Sequence, residues 1–213
     1  MSLIEKVREQ IKNDFSGEGT GHDWWHIHRV VNNARSIQEV EGGDEELIEL
    51  AALLHDVGDH KFHKEKEAQE KLITQLMTDL GAESQKIKVV LGVVKQVSFK
   101  GGEVNREVDS LEAKVVQDAD RLDALGAIGI ARAFAYGGSK NRMIYHPDEA
   151  PKEFQSFEEY KNDKGHTINH FYEKLLKLKD MMQTETGRKM AEQRHQFMEA
   201  YLEQFYAEWS GTA

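Results

Sequence analysis

Apolar residues recur at helical spacing along most of this 213-residue chain. Over residues 3–15 they return every three or four positions, which predicts a first amphipathic helix. The same spacing predicts a second helix, which begins at Asp23 as its capping residue and ends before Gly42 and Gly43. A third helix should begin in the acidic stretch 44–46, because negative charge favours the positive end of a helix dipole.

The rest of the chain also predicts helices. They are expected over residues 65–80, 83–98, 111–136, 165–183 and 186–208. The run 111–136 is apolar on most faces, which is typical of a central, buried helix. Strand patterns are almost absent, so we expect an all-α fold in which residues 1–213 form a single helical-bundle domain. Trp24 and Trp25, at the start of the second helix, are expected to pack in the core.

Composition narrows the class of protein further. The chain has no cysteine, so disulfides and thiolate metal sites are excluded, and any metal must bind to His, Asp or Glu side chains. The formal net charge of −10 argues against a nucleic-acid partner, because such proteins need a basic surface to displace counterions. No stretch has the apolar length of a signal peptide or a membrane span, so we expect a cytoplasmic protein with no membrane partner.

An adjacent histidine and aspartate, His55 and Asp56, end the apolar helical run of the third helix. Burying an unpaired imidazole and carboxylate is unfavourable, so this pair needs a partner. Two other positions set metal-type ligands against an apolar helix, namely His26 and Asp120. Two imidazoles and two carboxylates form a mixed nitrogen and oxygen set that suits a borderline divalent ion. Four protein ligands would leave coordination positions for water and a phosphate oxygen.

Three ordered segments resemble the HD superfamily of metal-dependent phosphohydrolases: HDWWHIHRV around His26, HDVGDHKF at His55-Asp56, and QDADRLDALG around Asp120. The resemblance implies an all-helical HD domain that binds one divalent ion (Mn, Fe, Co, Ni, Zn or Mg) through His26, His55, Asp56 and Asp120. The chain is similar in particular to small stand-alone bacterial members, which are associated with nucleotide hydrolysis. We therefore expect a small-molecule partner, a (deoxy)nucleoside triphosphate that is hydrolysed to monophosphate and pyrophosphate.

Neighbouring ionisable residues leave two of these ligand assignments open. His22 and His28 compete with His26, although His28 should face another side of the helix because it lies only two residues away. Asp123 lies one turn beyond Asp120, and it could instead orient a ligand or Arg121 from outside the coordination sphere.

Residues outside the ligand set are candidates for catalysis and phosphate binding. Asp59 could act as general base or hold the attacking water, or it could be a surface carboxylate. Lys61 could steady a phosphate as a point charge or simply be solvated. Further substrate contacts are expected from Arg29, Arg121, Lys140, Arg142, His170 and Lys174, each of which also has a purely structural interpretation. Lys140 and Arg142 lie in the irregular segment 137–151, whose length is typical of a lid but also fits a solvated connector.

Other functions are compatible with the same motifs. A nucleoside-monophosphate phosphatase or an alarmone hydrolase would use the same metal chemistry and release different products. A non-catalytic sensing module would keep the metal and bind a nucleotide without turnover. A homodimer is one oligomeric state compatible with these motifs.

Overall fold

The computed structural model describes residues 1–16, 23–58, 66–97, 108–154, 159 and 163–213, and the side chains of 66 and 67 are not included. Within these ranges all regular structure is helical, which confirms the all-α prediction. None of the helices described is long and apolar enough to span a membrane. The chain divides into two compact units, with the boundary between Ala119 and Asp120. A single domain over residues 1–213 stays a prediction.

Six helices follow one another up to residue 123, and the last of them passes the boundary between the units. They are α1 (Leu3–Asp14), α2 (Trp24–Glu41), α3 (Glu45–Leu54), α4 (Lys66–Asp79), α5 (Ser84–Val97) and α6 (Leu111–Asp123). The predicted capping residue Asp23 is confirmed, because its side chain accepts a hydrogen bond from the His26 backbone. The third helix begins in the predicted acidic stretch, where Asp44 accepts a hydrogen bond from the Leu47 backbone. The prediction for Trp25 is wrong: Trp24 is buried, but Trp25 is 60% exposed.

Helix α3 is the core of the first unit. Every side chain from Ile48 to Leu54 is buried, and the helix packs against α1, α2 and α5. The one charged side chain in this stretch is Glu49, which is 4% exposed. Arg8 of α1 and Arg35 of α2 both bind its carboxylate, so two ion pairs to one buried carboxylate join three helices.

The predicted single helix over 111–136 is wrong, because the chain turns between two helices. Helix α6 ends at Asp123, Leu125 is extended, and α7 runs from Gly126 to Ser139. Gly126 has a φ of +66°, which glycine adopts without strain. A Cβ atom there would also lie 3.1 Å from Cγ of Arg194, so a larger residue would push against the last helix.

The second unit is built from α7 and three later helical segments. Helix α8 (Thr167–Glu173) is followed by a 3₁₀ helix (Leu175–Met181) and by α9 (Glu185–Trp209). The prediction of one helix over 165–183 is therefore wrong, since Lys174 leaves helical geometry at φ −137° and ψ −58°. Helix α7 approaches α8 closely, because a Cβ atom on Gly137 would lie only 2.2 Å from Oγ1 of Thr167.

The described residues of the segment that joins α7 to α8 make hydrogen bonds and ring contacts with α8 and α9. The carbonyls of Met143 and Ile144 accept hydrogen bonds of 2.9 and 3.1 Å from the first two backbone N–H groups of α8. The ring of Tyr145 packs edge-on against four others, from His166, Phe205, Tyr206 and Trp209. Helix α7 continues to Ser139, so the irregular segment begins three residues later than predicted, and it extends at least to residue 154.

Candidate active site

Three of the four predicted metal ligands come together in the first unit. Nε2 of His26 lies 3.3 Å from Nε2 of His55. Nε2 of His26 also lies 3.3 Å from Oδ2 of Asp56. Nε2 of His55 is 3.6 Å from the other carboxylate oxygen. All three side chains are buried, and they form the one group with metal-ligand geometry among the described residues.

Local structure orients the His55 ring toward this cluster. Its Nδ1 lies 2.7 Å from the carbonyl of Ala52, one turn earlier in the chain. A carbonyl only accepts hydrogen bonds, so Nδ1 carries the proton and donates it. This is the tautomer in which Nε2 carries the lone pair that a metal ligand requires.

The cluster fits a divalent cation. Two ligands at right angles around an ion with bonds of about 2.1 Å lie about 3.0 Å apart, and tetrahedral ligands lie about 3.4 Å apart. Two of the observed separations, both 3.3 Å, lie within this range, and the third, 3.6 Å, is slightly longer. A buried pair of imidazole nitrogens and a carboxylate is stabilised when a cation lies between them, and the mixed donor set suits the transition-metal ions expected from the sequence.

A glycine and a glutamine shape the turn that carries His55 and Asp56. Gly58 has a φ of +81°, and a Cβ atom there would lie 3.3 Å from Cα of Gln69 and 3.2 Å from Cδ1 of Leu72. The side chain of Gln69 donates a 3.0 Å hydrogen bond to the His55 carbonyl. Helix α4 therefore packs directly on the turn. The sequence analysis missed Gln69, since no local pattern marks it.

His26 is the histidine of α2 that joins the cluster. His28 instead contacts Trp24 and Trp25, and its Nε2 lies 3.2 Å from the Asn32 amide. It is absent from the metal-type group found in the described residues. The other competitor, His22, lies outside those residues.

The fourth predicted ligand, Asp120, is half-buried in the last turn of α6. The carbonyl of the preceding residue, Ala119, accepts a 3.1 Å hydrogen bond from the buried Asn33 amide. Asn33 lies seven residues after His26, which places both on one face of α2. The ligand role of Asp120 stays a prediction.

Lys174 interacts electrostatically with Asp120 within the second unit, and other basic side chains act on Lys174 and His170 there. The side chain of Lys174 is exposed, but protein crowds its ammonium group: burial lowers its pKa, the Asp120 carboxylate opposes this, and Arg132 adds to the lowering. Burial likewise lowers the pKa of His170 to about 4, and the charges of Lys174 and Arg142 act in the same direction. His170 is therefore neutral at pH 7.

The other predicted substrate residues have contacts of their own. Arg142 donates to the Asp163 carbonyl at 2.7 Å and lies over the exposed ring of Tyr136, and Lys140 lies over the same ring. Arg121 donates to the carbonyl of Met181. These contacts do not exclude the predicted phosphate contacts, which remain predictions.

Three more residues were predicted to act in catalysis or substrate binding, namely Arg29, Asp59 and Lys61. Arg29 is half-buried on α2, three residues after His26. The predicted catalytic residues Asp59 and Lys61 lie outside the described residues.

One arginine near this group was not predicted. Arg132 donates to the buried Asp123 carboxylate at 2.8 Å and to its backbone carbonyl at 3.2 Å. The positive charge of Arg132 also lowers the pKa of Lys174. Its position in an otherwise apolar helix was the signal available in the sequence, because a charged residue on such a helix is buried only when it is paired.

Known proteins resemble this chain along almost its whole length. The HD domain family matches residues 24–125. The Bacillus subtilis protein YpgQ is 36% identical over 205 residues, which are 96% of this chain and 92% of YpgQ. A protein of Acanthamoeba polyphaga mimivirus is 28% identical over 198 residues, covering 80% of this chain and 79% of its own.

Solved structures agree with this relationship. An HD-superfamily hydrolase from Bacillus thuringiensis is 44% identical, with a TM-score of 0.77 and coverage of 97% of this chain and 96% of the other. A Lactobacillus plantarum protein is 33% identical, with a TM-score of 0.82 and coverage of 98% and 97%. The Bacillus subtilis YpgQ complex with ADP is 36% identical, with a TM-score of 0.75 and coverage of 99% and 100%. In sequence and in fold, this chain belongs to the HD superfamily of metal-dependent phosphohydrolases.

Proposed function

We propose that this enzyme hydrolyses (deoxy)nucleoside triphosphates to monophosphates and pyrophosphate. The observation that carries the proposal is the convergence of His26, His55 and Asp56 in a buried cluster, with their ligand-type atoms 3.3 to 3.6 Å apart. The basic group around Lys174 supports an anionic substrate. The ADP bound to YpgQ, a relative 36% identical, supports a nucleotide.

The proposed metal centre adds Asp120 to the three convergent residues. Its place in α6, directly after the carbonyl that Asn33 binds, supports this assignment. A divalent ion held there supplies Lewis acidity, which polarises a phosphoryl oxygen and lowers the pKa of bound water. The Nδ1 hydrogen bond of His55 keeps that imidazole in the correct tautomer throughout.

The basic residues of the second unit are proposed to bind the polyphosphate. Lys174 has an exposed side chain, and although burial lowers the pKa of its amino group, that group donates hydrogen bonds in either protonation state. His170, neutral at pH 7, donates a hydrogen bond without adding charge. Arg142 adds a guanidinium, which suits phosphate geometry.

The remaining predicted residues keep their proposed roles. Arg29, Arg121 and Lys140 are further phosphate contacts. Asp59 would orient or deprotonate the attacking water, and Lys61 would offset phosphate charge.

The test is a product assay with controlled metal. The protein is stripped with a chelator and then supplied with single ions (Mn, Mg, Co, Ni, Zn or Fe) and a panel of nucleotides. We expect pyrophosphate and the matching monophosphate. His26→Ala should abolish turnover, whereas His28→Ala should keep it, because His28 is on the same helix but outside the cluster.

The products separate the alternatives. Orthophosphate released from a monophosphate would indicate a phosphatase. Loss of the 3′ diphosphate from a guanosine nucleotide would indicate an alarmone hydrolase. Nucleotide binding without turnover by any metal-loaded sample would indicate a sensing module and would refute the proposal.

A further inference from the structure

Two arginines from later helices bind the end of α6. Nη1 of Arg194, on α9, donates to the carbonyl of Leu122 at 2.6 Å. Nη1 of Arg132, on α7, donates to the carbonyl of Asp123 at 3.2 Å and to its carboxylate at 2.8 Å. Both carbonyls belong to the last turn of α6, which also contains Asp120.

The carbonyls of this turn need such partners. The last four carbonyls of a helix have no intrahelical donor, and they form the negative end of the helix dipole. The Leu122 carbonyl also accepts a 3.1 Å hydrogen bond from the backbone N–H of Leu125, three residues later, as in a turn. Guanidinium groups satisfy the oxygens and offset their negative charge.

The connection to α9 depends on a glycine. Gly126 follows the turn, and a Cβ atom at this position would lie 3.2 Å from Cβ and 3.1 Å from Cγ of Arg194. The absence of a side chain lets the stem of Arg194 pass close to the backbone. Burial lowers the pKa of this guanidinium and the Asp123 carboxylate opposes the shift, so the arginine remains a cation inside the fold.

We propose that Arg194 and Arg132 are positioning residues that hold the last turn of α6, and with it the carboxylate of Asp120, in the geometry that binds the metal. The inference rests on the proposed function, in which Asp120 is the fourth ligand. Neither arginine touches the metal, and each acts through the helix that presents the aspartate.

The test measures metal affinity instead of activity. Chelator-stripped protein is titrated with Mn²⁺ by calorimetry. Arg194→Met removes the guanidinium and keeps most of the apolar stem, and we expect it to weaken Mn²⁺ binding by about tenfold, the lower end of what outer-shell partners contribute. Arg194 is preferred to Arg132 for this test because Arg132 also acts on Lys174.

A second arginine of α9 provides the matched control. Arg188 also donates to backbone carbonyls, at Met182 and Gln183, but these lie at the end of the 3₁₀ helix. Arg188→Met should leave Mn²⁺ affinity unchanged. Arg194→Lys should recover part of the affinity, because an ammonium can donate one hydrogen bond to the same carbonyl. Circular dichroism of each stripped variant checks that the helices form.

A double-mutant comparison separates the inference from the proposed function. Asp120→Asn should itself weaken Mn²⁺ binding, and adding Arg194→Met should weaken it no further. If Arg194→Met binds Mn²⁺ like the wild type while Asp120→Asn is impaired, the positioning role is wrong and the ligand role stands. Additive losses in the double variant would likewise refute action through Asp120. Wild-type affinity in Asp120→Asn would overturn the ligand assignment, and the positioning role with it.

Discussion

The buried carboxylate of Glu49 should be one of the most sensitive positions for stability. It is 4% exposed, and Arg35 binds its Oε2 through Nε and Nη2 at 3.0 and 2.7 Å, while Arg8 binds Oε1. Replacing one partner of a buried ion pair costs about 3–5 kcal/mol, since the other charge loses its compensation. The arginine side chains here are 26% and 47% exposed, so water can solvate them after the change. We therefore expect Glu49→Gln to cost about 3 kcal/mol, the lower end of that range.

Arg8→Met should cost less than Glu49→Gln. The carboxylate would keep its two bonds from Arg35, and only Oε1 would lose a partner. An unsatisfied buried acceptor costs about 1–3 kcal/mol. Glu46→Gln serves as the control on the same helix, because the ion pair of Glu46 with Lys86 lies at the surface and should be worth less than about 1 kcal/mol.

Urea unfolding followed by circular dichroism measures these free energies, and thermal unfolding checks them. A loss of 3 kcal/mol should lower the unfolding temperature by about 6–12 °C in a chain of this length. If Glu49→Gln falls within 1 kcal/mol of the wild type, or matches Glu46→Gln, the ion pair does not hold α1, α2 and α3 together in the way its geometry indicates.

Three further predictions concern the site. Mn²⁺ at one hundred times its dissociation constant should stabilise the wild type by about 2.7 kcal/mol in thermal unfolding. If the same Mn²⁺ concentration stabilises His55→Ala equally, His55 is not a ligand. Gly58→Ala places a side chain on a left-handed backbone and against Gln69, so it should lower the free energy of unfolding by at least about 1 kcal/mol and weaken Mn²⁺ binding. Gly42→Ala is the control, because the space around Gly42 is open, and it should leave Mn²⁺ binding unchanged. His170 has a folded-state pKa of about 4 against the ordinary 6.5, so the unfolded chain binds more protons between these values and stability should fall as pH drops from 6.5 to 4. That loss is up to about 3 kcal/mol, and a His170→Gln variant with the same pH dependence in its urea unfolding would show that this group is not its source.

Two of the predicted helices show where the sequence pattern was insufficient. The apolar run 111–136 continues without interruption through the turn at Gly126, because residues on both α6 and α7 are buried. Hydrophobicity reports burial but not direction, so it cannot reveal a turn inside a buried segment. Similarly, Lys174 interrupts the helix predicted over 165–183, although lysine has a good intrinsic helix propensity.

Local sequence patterns predicted the all-α class, the starts of α2 and α3, and the adjacent pair His55-Asp56 as candidate ligands. Caps and amphipathic periodicity act over a few residues, so they can be read locally. The family resemblance implied that His26 joins this pair, but the packing of distant helices is what brings His26 within 3.3 Å of His55, which lies 29 residues later in the chain. The same packing brings Arg194 to the end of α6, 72 residues away from Leu122. Such contacts depend on how distant helices pack, and no local pattern encodes their partners.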